Sequence, residues 1–237
     1  MLRGPASVSS RGLLAFWADI DPDYVLRFQE WHNCEHIPER LSIPGFLAGR
    51  RYRVVGDACR FFMFYETEGP EVLGSAAYLA ALNRPTPWTQ ESLRHFRRPL
   101  RSAYRKVVEH GKAPDVEASY LAAYRFDLAD HQQGSEGVAH AAAWLMATSQ
   151  VAGMQRARLY ERDSGSSSIV TEERRIYSAV QGEQTYLALF ECSQPDPWNA
   201  AEWQAREQSL PPEAAPAALF RTAERESCWL EIALYAP

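Results

Sequence analysis

Short apolar runs of strand length alternate with longer stretches of helical spacing along the whole chain. LLAFWADI at 13–20 is apolar and aromatic and reads as a strand. Asp21-Pro22-Asp23 is a helix start, and helical spacing continues over 23–37, with Pro38 and Pro44-Gly45 expected to close the segment. FLAGRRYRVV and RFFMFYET predict two strands about a turn at Gly56-Asp57. Residues 71–83 predict a second helix, broken by Pro85 and Pro87, and 99–109 a last strand. In the second half the same succession recurs at about 118–128, 136–150, 153–163, 185–192, 198–209 and 226–236. Each half reads strand, helix, strand, strand, helix, strand.

The two halves also align residue by residue. At a shift of 108, Leu13-Leu14-Ala15-Phe16 and Asp19 fall on Leu121-Ala122-Ala123-Tyr124 and Asp127. Ile43-Pro44-Gly45-Phe46, Arg50 and Tyr52 fall on Val151-Ala152-Gly153-Met154, Arg158 and Tyr160. The shift then grows to 125, where Phe64-Tyr65-Glu66 meets Leu189-Phe190-Glu191, which places an insertion near 164–184. That insertion is rich in Ser, Gly and charge and reads as a long surface loop. A βαββαβ unit is the ferredoxin-like split βαβ motif, one sheet face covered by helices and the other bare. The expected fold is therefore α+β: two tandem ferredoxin-like repeats, 1–112 and 113–237, packed sheet to sheet as an intrachain α+β barrel.

Composition narrows the function classes. Of 237 residues 46% are hydrophobic and 23% charged, the balance of a soluble globular protein rather than a disordered or fibrous one. No apolar run approaches the roughly 20 residues of a membrane span. Lys plus Arg is 25 against 30 Asp plus Glu, a net charge of −5, which disfavours nucleic acid as partner. Cys34, Cys59, Cys192 and Cys228 lack the close spacing of a zinc or disulfide pattern. With no secretory h-region near the N-terminus, a reduced, cytoplasmic setting is expected.

The chemistry concentrates on one predicted helix. At 100° per residue, Tyr24, Val25 and Phe28 form an apolar face that His32, Glu35 and His36 continue. The stripe turns from apolar to ionisable, and a buried ionisable group is costly unless paired or used. The repeat supplies an internal control: Glu35 falls on Ala143, His36 on Trp144 and Glu39 on Ala147, while His32 keeps its type as His140. The scaffold thus folds without Glu35 and His36, which points to a site in the first half alone. Imidazole beside carboxylate suits proton transfer, with His36 as general acid/base and Glu35 as its catalytic neighbour. His32, Trp17, Arg51 and Tyr65 are candidate substrate contacts; an Arg facing the barrel interior suits a carboxylate or phenolate. His32-Asn33-Cys34-Glu35-His36 also fits the inverted zinc-protease pattern H-x-x-E-H, but Pro38 follows closely and no distal ligand helix is evident. Arg94, Arg97, Arg98, Arg101 and Arg105 form a basic run that reads as a solvated face.

Trp31-x-Asn33-x-Glu35-His36-x-Pro38-Glu39-Arg40, followed by Ile43-Pro44-Gly45-Phe46 and Arg51-Tyr52, resembles the EthD-like proteins of the dimeric α+β barrel superfamily. The resemblance is clearest over 12–67, and the second half resembles a degenerate copy. It implies a ferredoxin-like fold, a cavity inside the barrel, and a catalytic role for His36. That superfamily includes lyases, isomerases, decarboxylases, cofactor-free monooxygenases and haem enzymes. The resulting expectation is a cofactor-independent lyase or isomerase acting on an aromatic or carbonyl-bearing metabolite. The alternatives are a cofactor-free monooxygenase or a non-catalytic ligand-binding barrel. Zinc, or haem with His32 or His36 as axial ligand, is the minor alternative on cofactors. A homodimer is compatible, and neither nucleic acid nor membrane is an expected partner.

Overall fold

The computed structural model describes residues 11–112, 116–165, 171–177 and 180–237. They fall into two compact units. The first comprises residues 11–105 with the described parts of Asp163–Gly182 and Leu230–Pro237; the second comprises Lys106–Arg162 and Glu183–Trp229.

In the first unit β1 (Gly12–Ile20) pairs antiparallel with β3 (Arg60–Thr67) and with β4 (Phe96–Gly111), and β3 pairs with β2 (Phe46–Val54). The strand order is therefore β4–β1–β3–β2, and the end of β9 (Phe220–Tyr235) follows β2, Ala236 N–H donating to Leu47 O at 2.9 Å. In the second unit β5 (Tyr120–Leu128) pairs antiparallel with β8 (Tyr186–Cys192) and with the start of β9, and β8 pairs with β6 (Met154–Arg162). Its order, β9–β5–β8–β6, is the same permutation. Both long strands, β4 and β9, begin in one unit and end in the other.

Period-2 alternation sorts the first sheet's faces. Leu14, Ala18, Phe61, Met63, Tyr65 and Ala103 share cores with helical residues such as Phe28, Ile37 and Leu41. Trp17, stacked on Phe62 at 4.2 Å, and Tyr52, stacked on Phe64 at 5.7 Å, turn to the other face. Gly45, at φ +90°, makes the turn into β2 where an L side chain would be strained. The second unit buries one aromatic core around Trp144, Phe190, Trp203 and Tyr124 beneath α5 (Ser135–Thr148) and α7 (Ala201–Gln208).

Three elements depart from the sequence expectation. The helix over 23–37 does not stop at Pro38. It comprises α1 (Val25–Trp31), a π-helical turn His32–His36, and α2 (Ile37–Leu41). Proline in a helix interior cannot donate and clashes with the carbonyl four residues back. Widening the turn before it, with Ile37 N–H donating to His32 O, seats Pro38 while the helix continues. Residues 71–83 split into a 3₁₀ turn, Pro70–Gly74, and α3 (Ala76–Leu82), capped by Ser75. The prolines at 85 and 87 do not end helical structure either, since Pro87 opens α4 (Pro87–Leu93) as its first residue and Thr86 caps it by accepting Thr89 N–H at 3.0 Å.

The insertion near 164–184 is not a surface loop throughout. Residues 166–170 and 178–179 lie outside the described ones, but Glu172–Tyr177 forms α6 with Glu173 and Tyr177 buried, and β7 (Val180–Gln181) pairs parallel with β4. Among the described residues no helix is long and apolar enough to cross a membrane.

Candidate functional site

A cavity opens in the first unit between the helices and the sheet face they cover. Its volume is about 40 Å³, within about 470 Å³ of atom-free space that includes open solvent. The sheet supplies Leu14, Phe16, Met63, Tyr65, Phe96 and Arg101. The helical segments supply Trp31, His32, His36 and Arg40, then Tyr78, and from α6 Glu173 and Tyr177. The cavity thus lies on the helix side of the sheet, not on the bare face that a barrel interior would use. Trp17 sits on that opposite face and does not line it.

The π-helical turn sets the two imidazoles side by side, with ring centroids 5.7 Å apart and planes 30° apart. Such turns recur at functional sites because they re-aim side chains within a helix. Gly49 lets this helix lie close to the sheet: a Cβ there would stand 2.9 Å from Ile37 Cγ2 and 2.9 Å from Tyr65 Cε1.

His32 is buried and fully bonded. Arg51 Nη1 lies 3.2 Å from its Nδ1, and the Tyr65 hydroxyl 3.2 Å from its Nε2. A guanidinium only donates, so Nδ1 is the acceptor and Nε2 carries the proton. Nε2–H then donates to the Tyr65 oxygen, which leaves the Tyr65 hydroxyl hydrogen to point elsewhere. Burial, then Arg51 and Arg40, hold His32 well below its ordinary value of 6.5, which keeps it neutral. Arg51 itself is held by Glu231 Oε2 at 2.7 Å and Asn33 Oδ1 at 2.9 Å, so it orients His32 and does not line the cavity.

His36 lines the cavity with Trp31 against its ring at 4.4 Å. Its Nδ1 is buried and has no hydrogen-bond partner among the described residues. Burial, then Arg40 and His32, hold it well below 6.5. Glu35 turns away and accepts from Thr86 Oγ1 at 2.5 Å and Thr89 Oγ1 at 3.0 Å. Thr89 in turn accepts from Trp31 Nε1 at 3.1 Å. Glu35 therefore fastens the π-helical turn to the start of α4.

Arg40, 1% exposed, donates from Nη2 to Glu173 Oε1 at 2.5 Å, and its Nη1 stands 3.5 Å from Glu39 Oε2. Burial alone would lower the Arg40 pKa, but Glu173, Tyr78 and Glu39 raise it further, so the guanidinium stays charged. Burial pushes Tyr65 up, which keeps its hydroxyl protonated. Whereas Arg40 stood in the resemblance motif, Tyr78, Arg101 and Glu173 are polar lining residues that the sequence pattern did not single out for this site. Their signal is faint: Arg101 hides in a basic run, and Glu173 in the insertion.

The residues do not fit haem. Both ring nitrogens of His32 are engaged, and a ring nitrogen of His36 shares a 4.8 Å neighbourhood with carboxylate oxygens of Glu39 and Glu173, too close for a porphyrin plane. The H-x-x-E-H zinc pairing fails for the same reason at His32. Arg40 already supplies the cation between Glu39 and Glu173.

In the second unit Trp144, the residue that the sequence repeat aligns with His36, is buried in the aromatic core. Its ring meets Phe220 at 5.0 Å and Phe190 at 5.5 Å, and its Nε1 donates to Glu207 at 3.0 Å.

No family profile matches the sequence, and no curated protein matches it. Solved structures do resemble it. An anthrone oxidase-like protein matches at TM-score 0.59 and 11% identity over 98% of this chain and 96% of that one. A protein of Fusobacterium nucleatum described as a monooxygenase matches at 0.60 and 9% over 96% and 95%. A chlorite dismutase from Candidatus Nitrospira defluvii, solved with imidazole, matches at 0.56 and 12% over 94% and 92%. At such identities the likeness shows the fold alone, and that fold is the dimeric α+β barrel.

Proposed function

We propose that the chain is a cofactor-independent oxidase or monooxygenase of an aromatic substrate bearing an acidic C–H next to a carbonyl. The observation that carries this is His36: a neutral imidazole, its Nδ1 unpartnered, lining an aromatic cavity beside the cation of Arg40. Two neighbours of the same fold are described as an anthrone oxidase-like protein and a monooxygenase, which favours oxidation over the lyase or isomerase reading.

His36 takes the C–H proton, and the bond's electron pair stays on the substrate as an enolate. Tyr65 donates its free hydroxyl hydrogen to the enolate oxygen, and Arg40 stabilises the charge. The enolate passes electrons to O₂ and recombines with it as a hydroperoxide, taking the proton back from His36. Loss of water leaves a new carbonyl. For an anthrone, substrate plus O₂ gives anthraquinone plus water. His32, Arg51 and Glu35 position this set without touching the substrate.

The two units are read as tandem ferredoxin-like repeats, the first EthD-like and carrying the site, the second degenerate. Their common strand permutation supports this. So do buried cross-strand pairs at matched positions, Arg50–Glu66 at 3.4 Å and Arg158–Glu191 at 2.6 Å.

Anthrone itself is the test. In an oxygen electrode the protein should consume O₂ stoichiometrically with anthraquinone formed, and His36→Gln should remove that activity without loss of folded protein. Anaerobic exchange of the anthrone CH₂ protons with D₂O, without O₂ uptake in air, would instead support the lyase or isomerase reading. Neither uptake nor exchange would overturn both.

A further inference from the structure

Arg101 is a cavity-lining cation with no carboxylate in ion-pair contact among the described residues; Glu173, paired with Arg40, feels its charge from farther off. On β4 it shares a face with Ala103, on the side that the helices cover, and it is 6% exposed. Its one hydrogen bond is from Nη2 to the Tyr78 hydroxyl at 3.3 Å, and among the described residues no carboxylate oxygen lies within 4.0 Å of its guanidinium. Glu173 is taken by Arg40, and Glu39 also leans on Arg40. Arg174, half-buried on α6, adds a further positive charge: burial and then Arg101 lower its pKa. Tyr78 lies between the two lining arginines, its hydroxyl bonded to Arg101 and its ring 5.7 Å from the Arg40 guanidinium carbon. Arg40 also keeps a buried Nη1 without a hydrogen bond.

With both imidazoles neutral, the lining carries two arginines against one glutamate. A buried cation without a counter-ion is costly, by several kcal/mol, and a cavity that keeps one is complete only when an anion enters. We propose that the cavity holds an aromatic carboxylate, its rings among Phe16, Phe96 and Tyr177 and its carboxylate on Arg101 with Arg40 Nη1 behind. This deepens the oxidase reading, because it names the class of substrate that the same cavity takes. A planar carboxylate matches the two-pronged donor geometry of a guanidinium better than a single hydroxyl does.

The probes are 2-naphthoate and its neutral counterpart 2-naphthamide, titrated calorimetrically into wild type, Arg101→Met and Arg101→Lys. A charge-assisted pair contributes about 1.5–3 kcal/mol, so wild type should prefer the carboxylate by about tenfold or more. Arg101→Met should bring the two ligands together while leaving naphthamide affinity within about threefold of wild type, and Arg101→Lys should restore part of the preference. In the absence of ligand, Arg101→Met should melt no lower than wild type, because it removes a buried charge that no carboxylate contacts directly; a purely structural arginine would give the opposite result. Equal binding of the two ligands to wild type, no binding of the carboxylate, or a preference that survives Arg101→Met overturns the proposal. If the Met variant does not fold, it is overturned on stability alone. These readouts need no turnover. A protein inert towards anthrone that still prefers the carboxylate sinks the oxidase reading and leaves the anion site standing.

Discussion

Tyr65 shows how one hydrogen-bond direction sets a residue's use. Arg51 forces His32 into one tautomer, His32 spends its proton on the Tyr65 oxygen, and the hydroxyl hydrogen is left free of that bond. Tyr65→Phe therefore removes a donor to the substrate and orphans the His32 N–H. Loss of one oxyanion donor costs about a hundredfold in kcat, and the orphaned group costs about 1–3 kcal/mol of stability. Stopped-flow rates and urea unfolding separate the two. His36 sets the pH dependence. Its pKa lies below 6.5, so kcat/KM should be flat above that pH and fall on an acid limb whose midpoint is lower. A midpoint above 6.5 would count against His36 as the base. At this scale the ionisable stripe on an apolar helix face pointed to His36 and His32, which the structure places on the cavity lining, whereas Arg51, expected as a substrate contact, bonds His32 instead. The sequence pattern placed Trp17 on the wrong side of the sheet. Period-2 alternation pairs residues on a face but does not say which face the helices cover.

Elements carry the next layer. α2 and α6 converge on the Arg40–Glu173 pair, which ties a piece of the insertion to the helical segment that continues from both histidines. Breaking such a pair from one side costs about 3–5 kcal/mol. Arg40→Met and Glu173→Leu should each destabilise by that order, and the double variant by less than either, as read from chemical denaturation of all four proteins. Additive losses would mean that the two side chains act independently. Gly49 is the other contact between elements, and Gly49→Ala should cost about 1–3 kcal/mol by overpacking against Ile37 and Tyr65. None of this could be read from the chain. A proline is a stop signal in local rules, yet Pro38 is accommodated by one widened turn and Pro87 begins a helix. A Ser- and Gly-rich insertion resembles a solvated loop until a buried partner for Glu173 is seen.

At the scale of the whole molecule the strand succession was legible, because apolar runs of strand length alternate with helical spacing and the same order recurs. The strand permutation follows from it in both units. The location of the cavity was not legible, since it depends on which unit fills the space under its helices. In the second unit Trp144 is buried in the aromatic core, and in the first His36 and Arg40 line the cavity. An open site lined by neutral imidazoles has a global consequence. Both His32 and His36 have folded pKa values below the unfolded 6.5, so the unfolded chain binds more protons as pH falls through that value. Stability must then decline below pH 6.5, with a slope of up to about 1.4 kcal/mol per pH unit for each histidine. Glu39 and Glu173, raised by burial, act with the opposite sign between their raised folded values and the ordinary carboxylate value of 4.5. Denaturant unfolding at a series of pH values from 7 downward should show that decline, and His36→Gln and His32→Gln should each flatten it by up to one proton. Unchanged proton uptake in both variants would mean that neither imidazole has its pKa lowered in the folded protein, against the burial that their surroundings impose.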